Sequence, residues 1–192
     1  MATYSNELGN VLRSYINLGE SKERLKQLLQ TTPAAIRYDL LMTIRGSCSY
    51  TGLHRGSRLN ELKIIKHMIN GFTAYQKYTI LKSQDIYRNT ALHDAAYNGD
   101  SPLLVHLLTD LSEQQKYNLL TMQNSSGSSP LHLAAHGQKT EVVSAILSSV
   151  SVQLQMDLLN IKNDNGQTIT DIRPELYNDF PGLVVQGIFF AF

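Results

Sequence analysis

Six histidines and one cysteine are the residues of this chain best suited to chemistry, so their spacing is the first thing to weigh. His132 and His136 stand four apart in HLAAH, the separation that lets two imidazoles on one helix face share a zinc ion. A hydrolytic site of that kind also needs a general base and a third ligand, and Leu133 stands where the base would be. His54, His93 and His132 recur 39 residues apart, and His67 and His106 share a second column with the same step. Stacked helices lie about 8–10 Å apart, too far for three such imidazoles to close on one metal. Their expected role is hydrogen bonding to the backbone of neighbouring loops. Cys48 has only Arg45 as a basic neighbour in sequence, a poor setting for a reactive thiol. There is no glycine-rich phosphate loop, CxxC pair or nucleophile elbow. The expectation is therefore no catalytic residue, no metal, no cofactor and no small-molecule substrate.

The elements that position these residues follow from the 39-residue step. TGLHRGSRLNELKIIKHMI from Thr51, TALHDAAYNGDSPLLVHLL from Thr90 and SPLHLAAHGQKTEVVSAIL from Ser129 align in register. Self-similarity at one period marks a stack of small units, each burying its apolar side only against its neighbours. Two apolar stripes at helical spacing, divided by a polar link with Gly or Asn, make each unit a helix pair. In one unit the pair is expected at about Ala91 to Ala96 and Pro102 to Leu108, split by Asn98-Gly99. Gly56-Ser57, Ala95-Ala96 and Ala134-Ala135 share two columns where small side chains let helices approach closely.

A further element follows each pair. FTAYQKYTILKSQD, LSEQQKYNLLTMQN and VSVQLQMDLLNIKN align at the same offset as a third, short helix. Thr73, Ser112 and Ser151 are its expected N-caps, and Gln76 and Gln115 complete capping boxes for the first two. Asp85, Asn124 and Asn163 then open tight reversals into the next unit. Earlier in the chain the theme is looser: ERLKQLL matches KIIKHMI, and Thr32-Pro33 is expected to cap a helix holding IRYDLLMT. GQTITDIRPELYNDF opens a partial unit and loses the pattern at Pro174.

The columns TALHDAA with Gly99, and SPLHLAA with EVVSAIL, resemble the ankyrin repeat, whose signature is TPLHxAA followed by a glycine and a VVxLL helix. The resemblance runs over roughly residues 11 to 172 and implies an all-α solenoid of helix-turn-helix units with short β-hairpin-like finger turns. Fingers and inner helices would line a concave groove. The units are longer than the usual ~33 residues, and the surplus falls at the third helix. Arg55 also stands where the family carries an apolar residue. The expected organisation is one domain spanning 1–192, with units near 11–50, 51–89, 90–128 and 129–167 and a partial capping unit at 168–192. On that frame the finger tips and the exposed end of helix one include Tyr50, Arg58, Ile86, Tyr87, Asn89, Tyr97, Asn98, Ser125, Ser126, Ser128, His136, Asp164 and Asn165. These are the expected partner-binding residues, with the aromatics and Arg58 as the strongest anchors.

Composition bounds the partner. Lys plus Arg number 17 against 16 for Asp plus Glu, which gives no bulk attraction to nucleic acid or anionic lipid. No stretch approaches the ~20 apolar residues of a membrane span. The single cysteine and an N-terminus without a basic-then-apolar leader point to the cytoplasm. The expected function is non-enzymatic binding of a protein partner by a chain that is monomeric alone. The alternative is a regulatory or targeting subunit, or a microbial effector acting in a host cell, whose apolar segment from Gly182 to Phe192 makes the decisive contact.

Overall fold

The computed structural model describes residues 2–18 and 22–176, with side chains from residue 6 onward. The apolar segment expected at 182 to 192 and the end of the partial capping unit lie outside the described residues.

Within them the chain is helical. The elements are α1 (Ala2–Leu18), α2 (Lys22–Thr31), α3 (Ala34–Thr43), α4 (Gly52–Arg58), α5 (Leu62–Ile69), α6 (Ala74–Leu81), α7 (Ala91–Asn98), α8 (Ser101–Leu108), α9 (Glu113–Leu120), α10 (Pro130–His136), α11 (Thr140–Ser148), α12 (Val152–Leu159) and α13 (Ile169–Ile172). One 3-10 turn, Ser47–Ser49, sits between α3 and α4. Helices pack in three rows: α1, α4, α7, α10 and α13 in one, α2, α5, α8 and α11 in the second, and α3, α6, α9 and α12 in the third. The third row is the extra short helix of each unit.

Repetition in sequence becomes repetition in the core. Leu53, Leu92 and Leu131 are buried one above the other in the first row, and Ile65, Leu104 and Val143 in the second. The small-residue columns sit where rows meet. A Cβ added at Gly56 would lie 2.7 Å from Ile65 Cγ1, and Ala95, Ala96, Ala134 and Ala135 are buried. Thr73 and Ser112 make the expected capping boxes with Gln76 and Gln115. Ser151 holds the N-cap position of α12 without a side-chain bond; Leu154 stands where the glutamine would be, so the Ser151 N–H donates instead to Glu113 Oε1 at 2.8 Å. Thr32 does not cap α3, contrary to expectation: Pro33 is the N-cap residue, and the Thr32 hydroxyl donates back to the Leu28 carbonyl at 2.7 Å.

The third row fastens each unit to the next through a cation, buried at Arg37 and Lys77 and half-buried at Lys116. Arg37, Lys77 and Lys116 occupy one column of the repeat. Arg37 donates to the carbonyls of His67, Met68 and Asn70 where α5 ends. Lys77 Nζ donates to His106 O and Thr109 O, both at 2.7 Å, where α8 ends, and Lys116 Nζ to Ser149 O at 2.9 Å where α11 ends. Each cation thus meets orphan carbonyls at the negative pole of a helix, which stabilises both. Burial holds the Arg37 and Lys77 pKa values below their usual ranges. In the same column of α12, Gln155 turns its amide to Leu147 O at 2.8 Å, inside its own unit.

Candidate functional site

The three histidines that recur 39 residues apart are engaged at both ring nitrogens. Thr51 N–H, Thr90 N–H and Ser129 N–H donate to Nδ1 of His54, His93 and His132 at 3.3, 3.1 and 3.3 Å. An amide can only donate, so each Nδ1 accepts and each Nε2 carries the proton. Those Nε2–H groups donate to Asn89 O, Ser128 O and Gln167 O at 2.9, 3.0 and 3.1 Å, across to the next finger. Burial pushes all three imidazoles down, His93 to about 4, which keeps them neutral. His136 is exposed at the end of α10. Among the described residues no group of three or more His, Cys, Asp or Glu is placed to hold a metal ion.

The fingers are built by one polar residue each. Asp85 Oδ1 accepts from Tyr87 N and Asn89 N at 2.9 and 2.8 Å, and Asn124 and Asn163 do the same for the next two fingers. The left-handed position of the turn is Arg88 (φ 60°) in one finger and Gly127 and Gly166 in the others. Adjacent fingers are joined backbone to backbone, Ile86 N to Cys48 O at 3.0 Å, Ser125 N to Tyr87 O at 2.9 Å and Asp164 N to Ser126 O at 3.2 Å. The first finger has Gly46 where the others have Asp or Asn, and both Cys48 and Ser49 adopt positive φ there.

The family model for the ankyrin repeat matches residues 126–157, the stretch holding the third finger tip, α10, α11 and most of α12. These residues form an ankyrin repeat. The same cap and histidine geometry recurs at Thr51 and Thr90 in the helical solenoid. No curated protein matches the chain. Among the described residues no helix is long and apolar enough to cross a membrane.

On this ankyrin frame the anticipated contact residues divide by position. Tyr50, Arg58 and Tyr87 line one open cleft of about 320 Å³ between the first two fingers and α4. Arg58 lies over the Tyr50 ring, 5.1 Å from its centroid, and its Nε is 3.7 Å from Asp94 Oδ1. Tyr97 is 62% exposed but does not line that cleft, and Ile86 is exposed on the second finger tip. Ser125, Ser126, Asp164 and Asn165 are exposed on the later fingers. Three others serve the scaffold. Asn98 Nδ2 donates to Ser57 O and Arg58 O at 3.0 and 2.9 Å, closing the C-terminus of α4; Asn89 Oδ1 accepts from Asn124 at 3.0 Å; Ser128 is buried.

Sequence reasoning missed Arg55, Cys48 and Asn17, which share the cleft. The signal for Arg55 was present: its column reads Arg55, Asp94, Leu133, so two units carry charge where the family is apolar. Asp94 is only 7% exposed and its Oδ2 has no hydrogen-bond partner. Burial pushes its carboxyl up to about 7, against the lowering pull of Arg58, with Asp85 adding to the rise. The Tyr50 hydroxyl lies near Asp94 without closing a hydrogen bond.

Proposed function

We propose that the protein is a non-enzymatic recognition module that holds a protein partner against its finger tips and the exposed ends of its first-row helices. Ankyrin repeats suggest protein-protein interaction as the class, and fold alone does not name the partner. One observation carries the choice of face: Tyr50, Arg58 and Tyr87, residue types that dominate binding energy, line a single open cleft. His54, His93 and His132 are spent on the scaffold, and the backbone ties between fingers leave little ordering entropy to lose when a partner docks.

Affinity capture from the native cell, followed by titration of the captured partner against variants, tests the reading. Tyr87→Ala and Tyr97→Ala are expected to weaken binding by ~2 kcal/mol or more while thermal unfolding is unchanged. Unchanged affinity in both variants rejects the assigned face.

A further inference from the structure

The cleft that holds Tyr50, Arg58 and Tyr87 also holds Arg55, a guanidinium with no ion-pair partner among the described residues. Arg55 and Arg58 are three apart on α4, so their guanidinium groups share a helix face, an arrangement that costs energy unless anions offset it. Asp94 answers Arg58. Among the described residues Arg55 forms no ion pair, and its Nε is buried without a hydrogen-bond partner. The carboxylate of Glu61 acts near it through Tyr15 but is already taken by Lys22 and the Tyr15 hydroxyl. Asp85, the other acid close by, spends an oxygen on the amides of Tyr87 and Asn89. Among the described residues no acidic side chain lines the cleft itself.

The donors are also held in place. Arg58 turns Nε toward Asp94 while its Cζ lies over the Tyr50 ring, which leaves its two terminal nitrogens without a partner among the described residues. A guanidinium held by these two contacts loses less entropy when it forms the two-pronged bond to a carboxylate. With Asp94 and Asp85 both near Tyr50 the site is close to charge balance, which suits the single charge of a carboxylate better than a phosphate carrying about −1.5 to −2.

We propose that this cleft receives the carboxylate of a glutamate or aspartate side chain of the protein partner, gripped by Arg55 and Arg58. The proposal rests on the recognition reading above and adds the chemistry of the anchor. Cys48 supplies an internal reporter, because it is exposed, lines the cleft and is the chain's one cysteine.

The test is selection of a random peptide library on the intact protein, followed by synthesis of the recovered peptides with amidated C-termini. The expected result is an acidic position whose change to glutamine weakens binding at least tenfold, with the same loss in Arg55→Gln, a smaller one in Arg55→Lys, and slowed alkylation of Cys48 by bound peptide. Thermal unfolding of each variant separates lost binding from lost fold, and Arg58→Gln provides a second variant if Arg55→Gln does not fold. Peptides that protect Cys48 but bind equally with glutamate or glutamine overturn the proposal and leave the face intact. Loss of binding on amidation, or tighter binding with phosphoserine in place of glutamate, overturns the choice of a side-chain carboxylate. Peptides that neither protect Cys48 nor respond to Tyr87→Ala, or a library that yields none, overturn the recognition reading itself.

Discussion

Acidification sets two buried groups against each other, and replacing one of them exposes the other. His93 is neutral in the fold, with its pKa pushed down to about 4 by burial, whereas in the unfolded chain it titrates near 6.5. Its contribution is therefore complete above 6.5 and is lost as pH falls toward 4, because only the unfolded chain takes the proton. By about pH 5 the loss reaches roughly 2 kcal/mol. His54 and His132 act in the same direction. Asp94 works the opposite way. Its carboxyl is held up to about 7 against an ordinary 3.8, so the fold takes up a proton first, and a cost present above pH 7 is relieved as pH falls. Between about pH 8 and pH 5 that relief is worth roughly 3 kcal/mol, and Asp94 is buried enough for solvent screening to be small. Asp94→Asn removes it. The variant is expected to lose about 3 kcal/mol more than the parent over that window, and His93→Gln about 2 kcal/mol less. Urea unfolding followed by circular dichroism at the two pH values, at constant ionic strength, gives both differences. Identical pH dependence in the parent and Asp94→Asn would show that no buried charge is relieved at Asp94 and refute the reasoning.

Two further outcomes concern the scaffold. Lys77→Met strips the donor from His106 O and Thr109 O and is expected to cost about 2–4 kcal/mol in urea unfolding, whereas Lys77→Arg is expected to be nearly neutral, since Arg37 fills the same column. Arg88→Gly places at φ 60° the residue type found at Gly127 and Gly166, and is expected to raise stability by about 0.5–1 kcal/mol in the same assay.

Much of the fold was legible because the physics that shapes a unit is local. Cap residues at Thr73 and Ser112, the small pairs at Ala95-Ala96 and Ala134-Ala135, and the third helix all follow from spacing and side-chain type. The Thr32 cap failed because that hydroxyl had a competing acceptor in the preceding helix, the Leu28 carbonyl. The cation column went unread although Lys77 precedes Ile80-Leu81, and Lys116 precedes Leu119-Leu120, by three and four residues, which puts both lysines on the buried face. Charge at such a position looks like a solvated surface until the neighbour's helix end is known. For the cleft, Tyr50, Arg58 and Tyr87 were readable as finger and helix-end residues. That Arg55 joins them depends on how α1 and the first finger close over α4, which no periodicity encodes.

Many of the ties between units share one property. His54 reaches Asn89 O, Lys77 reaches Thr109 O, Asn98 reaches Ser57 O, and the finger amides reach finger carbonyls, so each of these bonds ends on main-chain oxygen. Every residue offers that acceptor whatever its side chain. A neighbour can therefore exchange its outward-facing residues without loosening the junction, and the stack keeps its spacing while the surface it displays is free to be rewritten.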